Sequence, residues 1–169
     1  MGVVTPAGRG GRFVGRGPEL GDLARALAAP GSVVLVEGES GIGKTRLVGE
    51  SLTALADRLD EVLVAYCPPF RRPHTLAPVT DALRERAKSV AGLGLSGLAG
   101  ALRPLFPEWA DDLPPAPEPA QDASAMRHRL FRALGELIAC LRVAVLVVED
   151  VHWADEATLE FLLYLASAP

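Results

Sequence analysis

The chain has 169 residues, 49% of them hydrophobic, 22% charged and 5% aromatic, with 17 glycines and 14 prolines. That is the length of one compact domain with enough apolar content for a core, and it leaves little room for a second domain. A net charge of −4, from 17 basic and 21 acidic residues, argues against a strongly basic nucleic-acid-binding surface, and the longest aliphatic run, Val143–Val148, is far too short to span a bilayer.

Residues 1–12 contain no apolar core, so they read as a mobile tail rather than a secretory signal, and the cytoplasm is the expected compartment. Gly17-Pro18 then starts a helix, because proline needs no hydrogen-bond donor at the first helical position. Leu20, Leu23, Ala24 and Leu27 recur at helical spacing until Pro30-Gly31. The β-branched run Ser32–Glu37 predicts a buried strand, Gly38–Thr45 a loop, and 44–59 a helix with Leu47, Val48, Leu52, Leu55 and Leu59 on one face. A second strand is expected over Val62–Tyr66. The loop Cys67–His74 follows, and then a helix over 77–90 opened by Pro78.

Residues 92–120 are rich in glycine and proline and predict irregular structure with one or two short helical turns near Leu102–Trp109. A helix over 122–141 carries Met126, Leu130, Leu134, Leu137 and Ile138 on its apolar face. Val143–Val148 predicts a third strand buried on both faces, and a last helix begins with Asp155 as its N-cap. Strands alternating with helices imply an α/β fold with a parallel sheet. No internal repeat is present. Cys67 and Cys140 lie far apart with no metal-ligand spacing, which speaks against a disulfide framework or a zinc site.

Gly38-Glu39-Ser40-Gly41-Ile42-Gly43-Lys44-Thr45 fits G-x-x-x-x-G-K-[ST] at every fixed position. Glycines let the backbone wrap and turn its N–H groups toward a polyphosphate, and the helix starting at Lys44 adds the positive end of its dipole. Lys44 suits the β- and γ-phosphates, and the Thr45 hydroxyl suits Mg²⁺. The chain has only two lysines, Lys44 and Lys88, against fifteen arginines, and one falls where the pattern demands lysine. The alternative is a chance match in a glycine-rich chain, which the preceding strand-like run and the following amphipathic helix argue against.

Val143–Val148 ends in Glu149-Asp150. Carboxylates at the end of a parallel strand can hold Mg²⁺, through water if need be, and orient or deprotonate an attacking water. The alternative is that they end the strand and stay solvated. Glu149 precedes Asp150, whereas the usual order in nucleotide-hydrolysing proteins puts aspartate first. This tolerates binding and puts fast turnover in doubt.

Phe13-Val14-Gly15-Arg16, Glu19-Leu20, GESGIGKT and Val148-Glu149-Asp150-Val151-His152-Trp153-Ala154-Asp155 together resemble the ATPase module of the STAND class. More closely, they resemble the AAA-type domain at the N-terminus of large bacterial LuxR-family transcriptional regulators. Arg127–Phe131 and Thr75-Leu76-Ala77-Pro78 fit that group too, so the likeness covers nearly all of 13–169. The resemblance implies that ATP or ADP with Mg²⁺ is bound by residues 38–45 and Arg46, with Phe13, Val14 and Arg16 against adenine and ribose. It implies Thr45, Glu149 and Asp150 on the metal side and Asp150 with Glu149 in hydrolysis. Phe13 can equally staple the helix entry. Trp153 reads as a packing residue, His152 as either structural or near the nucleotide, and His74 with Arg71-Arg72 as a solvated loop.

The resembled domains carry a further strand, later in sequence, between the phosphate-loop strand and the acidic strand. They also continue into a lid, a sensor arginine, helical repeats and a DNA-binding helix-turn-helix. The sequence given reaches Pro169 before any of these, so it reads as the N-terminal part of such a domain. Two expectations follow: the sheet centre is vacant and the isolated chain aggregation-prone, or the phosphate-loop strand and the acidic strand pair directly. Hydrolysis is expected to be slow, and direct DNA contact is not expected, while protein partners or self-association remain open. The other function classes are a self-standing P-loop NTPase or kinase, and a nucleotide-independent fragment.

Overall fold

The computed structural model describes residues 15–29, 31–53, 61–69, 74–119 and 122–167. The expected tail, Phe13, Val14, Leu55, Leu59 and Arg71-Arg72 lie outside the described residues. The chain divides into two compact units, Gly2–Asp60 and Glu61–Leu165.

In the unit Gly2–Asp60, α1 spans Gly17–Ala28 and α2 spans Lys44–Thr53. Pro18 opens α1 as the sequence requires, and Leu23 is its buried residue. Leu47, Ser51 and Leu52 line the buried face of α2, and the two helices pack together. Ser51 is accommodated there because its hydroxyl donates to the Leu47 carbonyl at 2.9 Å. The strand expected over Ser32–Glu37 is absent: residues 32–39 have no regular secondary structure. Val33 is 70% and Leu35 68% exposed. A β-branched run favours extended backbone, but only a ladder partner makes it a strand, and the described sheet supplies none to it.

In the unit Glu61–Leu165, β1 (Val62–Tyr66) and β2 (Val145–Glu149) form a parallel two-stranded sheet, in register from Val62 opposite Val145 to Tyr66 opposite Glu149. The fold is thus mixed α/β with a parallel sheet, as the alternating pattern implied. Direct pairing of 32–37 with the acidic strand does not occur among the described residues. β2 begins two residues later than its aliphatic run and is half-buried throughout, not buried on both faces, because β1 is its one neighbour in the described sheet. The ladder is extended at both ends by Ala144 N–H to the Glu61 carbonyl (2.7 Å) and Cys67 N–H to the Glu149 carbonyl (3.1 Å).

Helices α3 (Ala77–Arg86), α4 (Ala123–Cys140) and α5 (Glu156–Ser167) complete this unit. α3 ends four residues earlier than expected, with Ala87 extended. The Asp122 carboxylate caps α4 by accepting from Ala125 N–H at 2.7 Å. Its buried residues are Phe131, Ala133, Leu134, Leu137 and Ile138. Met126, expected in the core, is 58% exposed, because the first turns of α4 are exposed on every side.

The glycine- and proline-rich stretch contains 3₁₀ turns at Gly97–Leu102 and Pro107–Trp109, and much of it is core: Ala99, Leu102, Phe106, Trp109 and Leu113 are buried. Burying irregular backbone requires partners for its carbonyls, and Arg103 supplies them by donating to Ala110, Leu113 and Pro114 at 2.7–3.2 Å. Glycine is needed at position 100, where a Cβ would lie 2.0 Å from the Pro115 carbonyl oxygen. Among the described residues no helix is long and apolar enough to cross a membrane.

Candidate functional site

The phosphate loop lies in the first unit and the acidic strand end in the second. In the loop, Gly41 (φ +78°) and Gly43 (φ +94°) are left-handed, a conformation that side-chain-bearing residues avoid, and nothing lies within 4 Å of where their Cβ atoms would be. Ile42 N–H donates to the Glu39 carbonyl at 3.4 Å, closing a turn, and Leu47 N–H donates to the Gly43 carbonyl at 2.9 Å, starting the ladder of α2. Gly38, Glu39, Ser40, Gly41 and Ile42 are exposed, as are Thr45 and Arg46, while Gly43 and Lys44 are half-buried.

The Lys44 ammonium folds back over the loop and donates to the carbonyls of Gly38 (2.8 Å) and Glu39 (3.0 Å). Among the described residues its partners are neutral carbonyls, which leave the charge under-compensated, and an anion can compete for it. With the first helical turn directing its N–H groups outward, the loop suits an oxyanion. Arg46 forms an i,i+4 ion pair with Glu50 at 3.8 Å along the exposed side of α2. Arg16, at the N-cap of α1, donates from Nη2 to the Ile42 carbonyl at 2.9 Å, which ties the Gly15-Arg16 turn to the loop.

At the end of β2, Glu149 is half-buried and Asp150 exposed. Asp150 has φ +54° and ψ +41°, a left-handed geometry that aspartate tolerates better than most residues. It caps the 3₁₀ turn Val151–Trp153, with Trp153 N–H donating to its carbonyl at 2.8 Å. Tyr66, 62% exposed, stands opposite Glu149 in the ladder. Partial burial, then the charges of Glu149 and Glu85, raise its phenol above the ordinary tyrosine value. Burial, followed by the charges of Asp155 and Asp150, pushes the Cys67 thiol up as well, which suits a packing residue better than a nucleophile. Trp153 is part-exposed beside His152, their rings 5.3 Å apart, and His74 is exposed.

Asp155 makes more contacts than its sequence position announces. Its carboxylate caps α5 by accepting from Thr158 N–H (3.1 Å) and Oγ1 (2.5 Å), and it also accepts from Leu76 N–H at 3.2 Å. Leu76 is fully buried with φ +60°, so a left-handed leucine at the entry of α3 is held by the carboxylate that starts α5. The capping role is readable from an aspartate before a helix; the link to Leu76, the Tyr66–Glu149 pairing and the Arg16–Ile42 contact are not. No local pattern encodes them.

Among the described residues no group of three or more His, Cys, Asp or Glu is placed to hold a metal ion by itself. An uncharacterized protein of Rhizobium meliloti (strain 1021) is 30% identical over 174 aligned residues, covering 90% of this chain. The chain spans about 17% of that relative's length. No solved structure matches the chain. The family model for the AAA ATPase domain matches residues 12–169, from before the Gly15-Arg16 turn through the phosphate loop, the acidic strand end and α5, and the chain therefore belongs to this nucleotide-binding P-loop family.

Proposed function

We propose that the chain is the ATP- and Mg²⁺-binding switch module of a STAND-class AAA-type ATPase, related to the N-terminal domains of LuxR-family transcriptional regulators. The observation that carries this reading is the loop 38–45, with two left-handed glycines, a helix beginning at Lys44 and the lysine ammonium resting on two carbonyls it can give up. In this reading Gly38 to Gly43 present backbone N–H groups to the phosphates and Lys44 exchanges Gly38 and Glu39 for β- and γ-phosphate oxygens. Thr45 and Arg46 flank them on the first turn of α2, and Phe13 and Val14 meet the base.

This reading assigns Thr45 in the one unit, and Glu149 with Asp150 in the other, to Mg²⁺, which would supply charge neutralisation on the phosphates when bound. Hydroxyl and carboxylate oxygens are the donors such a hard cation takes alongside substrate phosphates. Asp150 orients or deprotonates the attacking water. It is one methylene shorter than a glutamate, so turnover is slow. The cycle is that of a switch, in which the γ-phosphate orders one conformation and hydrolysis releases it. Its partners are the nucleotide and other protein surfaces in the cytoplasm, without direct DNA contact by this chain.

Calorimetric titration of ATP and ADP into wild-type protein and Lys44→Ala tests the reading. Loss of charge-assisted hydrogen bonds should weaken both nucleotides about 10- to 100-fold. Asp150→Asn should retain binding and lose turnover, which in the wild type should stay below about 1 s⁻¹, the low end for enzymes. Affinity indifferent to Lys44→Ala removes the phosphate loop from the account, and steady turnover above that rate removes the switch.

A further inference from the structure

The Arg16 guanidinium reaches across from the start of α1 to the carbonyl of Ile42, the residue between the two left-handed glycines. A trans peptide is planar, with its C=O and N–H pointing in opposite directions. Whatever fixes the Ile42 carbonyl therefore fixes the N–H of Gly43 on the other side of the same plane. Gly41 and Gly43 sit at the two ends of this Gly41-Ile42-Gly43 segment, and glycine imposes little torsional preference, so the plane needs an external restraint. The next peptide is already held, because the Gly43 carbonyl accepts from Leu47 N–H at 2.9 Å. Arg16 itself has a firm base: its carbonyl accepts from Leu20 N–H at 3.0 Å, opening α1, which packs on α2.

We infer that Arg16 is a positioning residue for the phosphate loop: by holding the Ile42 carbonyl it aims the Gly43 N–H at a bound polyphosphate, and it acts through the loop rather than on the base or sugar. This rests on the nucleotide-binding reading above, but it assigns Arg16 a different task from the adenine and ribose contact that the family resemblance implies. The two tasks differ in which ligands feel the residue. A base or sugar contact is invisible to a ligand without base or sugar. A loop-positioning residue is felt equally by any polyphosphate.

The test compares ATP, ADP and inorganic tripolyphosphate, each with Mg²⁺, by calorimetry on wild type, Arg16→Ala, Arg16→Lys and Lys44→Ala. It also follows the Gly43 amide resonance in nucleotide-free protein. Arg16→Ala should weaken all three ligands by a common factor on the order of tenfold, the value of one charge-assisted hydrogen bond. Arg16→Lys should recover most of it, because a single carbonyl can be served by an ammonium. The Gly43 amide should shift and exchange faster in Arg16→Ala before any ligand is added, and less so in Arg16→Lys. Weakened ATP and ADP with unchanged tripolyphosphate would overturn the proposal in favour of a base or sugar contact, as would a Gly43 amide indifferent to Arg16. If wild type binds none of the three, the nucleotide reading fails, and the Gly43 amide still decides whether Arg16 sets the loop. Should the alanine variant unfold, Arg16→Met, which keeps the aliphatic stem and removes every donor, carries the same amide comparison.

Discussion

Asp155 shows how much one carboxylate can hold. It accepts from three donors, two on Thr158 and one on Leu76, and so joins the start of α5 to the start of α3. Removing an N-cap carboxylate costs about 1 kcal/mol, up to about 2. Here the loss also leaves the N–H of the fully buried Leu76 without its acceptor, and an unpaired buried donor costs roughly 1–3 kcal/mol. Asp155→Ala should therefore lower unfolding free energy by about 2–3 kcal/mol. In urea titration the midpoint should fall with the slope unchanged, and Asp155→Asn should recover part of the loss. An alanine variant as stable as wild type contradicts the bridging role.

Side chains of the helices tie down the short segments between them, and Arg84 of α3 shows how. It donates to Asp81 on its own helix and to Glu108 at 2.6 Å in the Pro107–Trp109 turn, and its guanidinium lies 5.2 Å from the ring centre of Phe106. Slight burial pushes the Glu108 carboxyl up, but a hydrogen bond from its own backbone and the hydrogen bond and charge of Arg84 outweigh it and hold it below the usual 4.5. A carboxyl whose folded pKa is depressed stabilises the protein above its unfolded value and ceases to do so as pH falls through the folded value. Stability should thus decline as pH drops below about 4.5, and Glu108→Gln should flatten that decline. The effect should be small, because both side chains are more than a third exposed and screened by solvent. Denaturant midpoints at pH 3–6 for the two proteins are the check, and parallel curves would dismiss the pair.

Contiguous devices are legible in the sequence: Pro18 at α1, Asp155 before α5, and the loop pattern from Gly38 to Thr45. Devices that depend on a distant partner are not. Ser32–Glu37 has strand composition without a strand neighbour in the described sheet. The 3.6-residue period identifies the face of Met126 but not where α4 leaves the core. Gly100, in a stretch with no periodicity, is fixed by the Pro115 carbonyl, which only the folded backbone brings near.

Across the whole molecule, the apolar surface is unevenly covered. The core around β1, α3, α4 and α5 is dense, whereas Val33, Val34 and Leu35 stand exposed in succession before the phosphate loop. A consecutive aliphatic, uncharged run of this kind recruits other chains. The isolated protein should self-associate at micromolar concentration, and the double variant Val33→Thr, Leu35→Lys should shift it toward monomer in light-scattering-coupled chromatography. A monodisperse wild-type monomer with a single cooperative melt would contradict this.

The back-folded Lys44 has a practical consequence. With only Lys44 and Lys88 among 169 residues, amine-reactive reagents have two side-chain targets, one exposed and one engaged by the Gly38 and Glu39 carbonyls. Lys88 then serves as an internal standard. The ratio of acylation at the two sites becomes an intrinsic chemical gauge of how tightly the loop grips its own cation, readable by mass spectrometry without any introduced label.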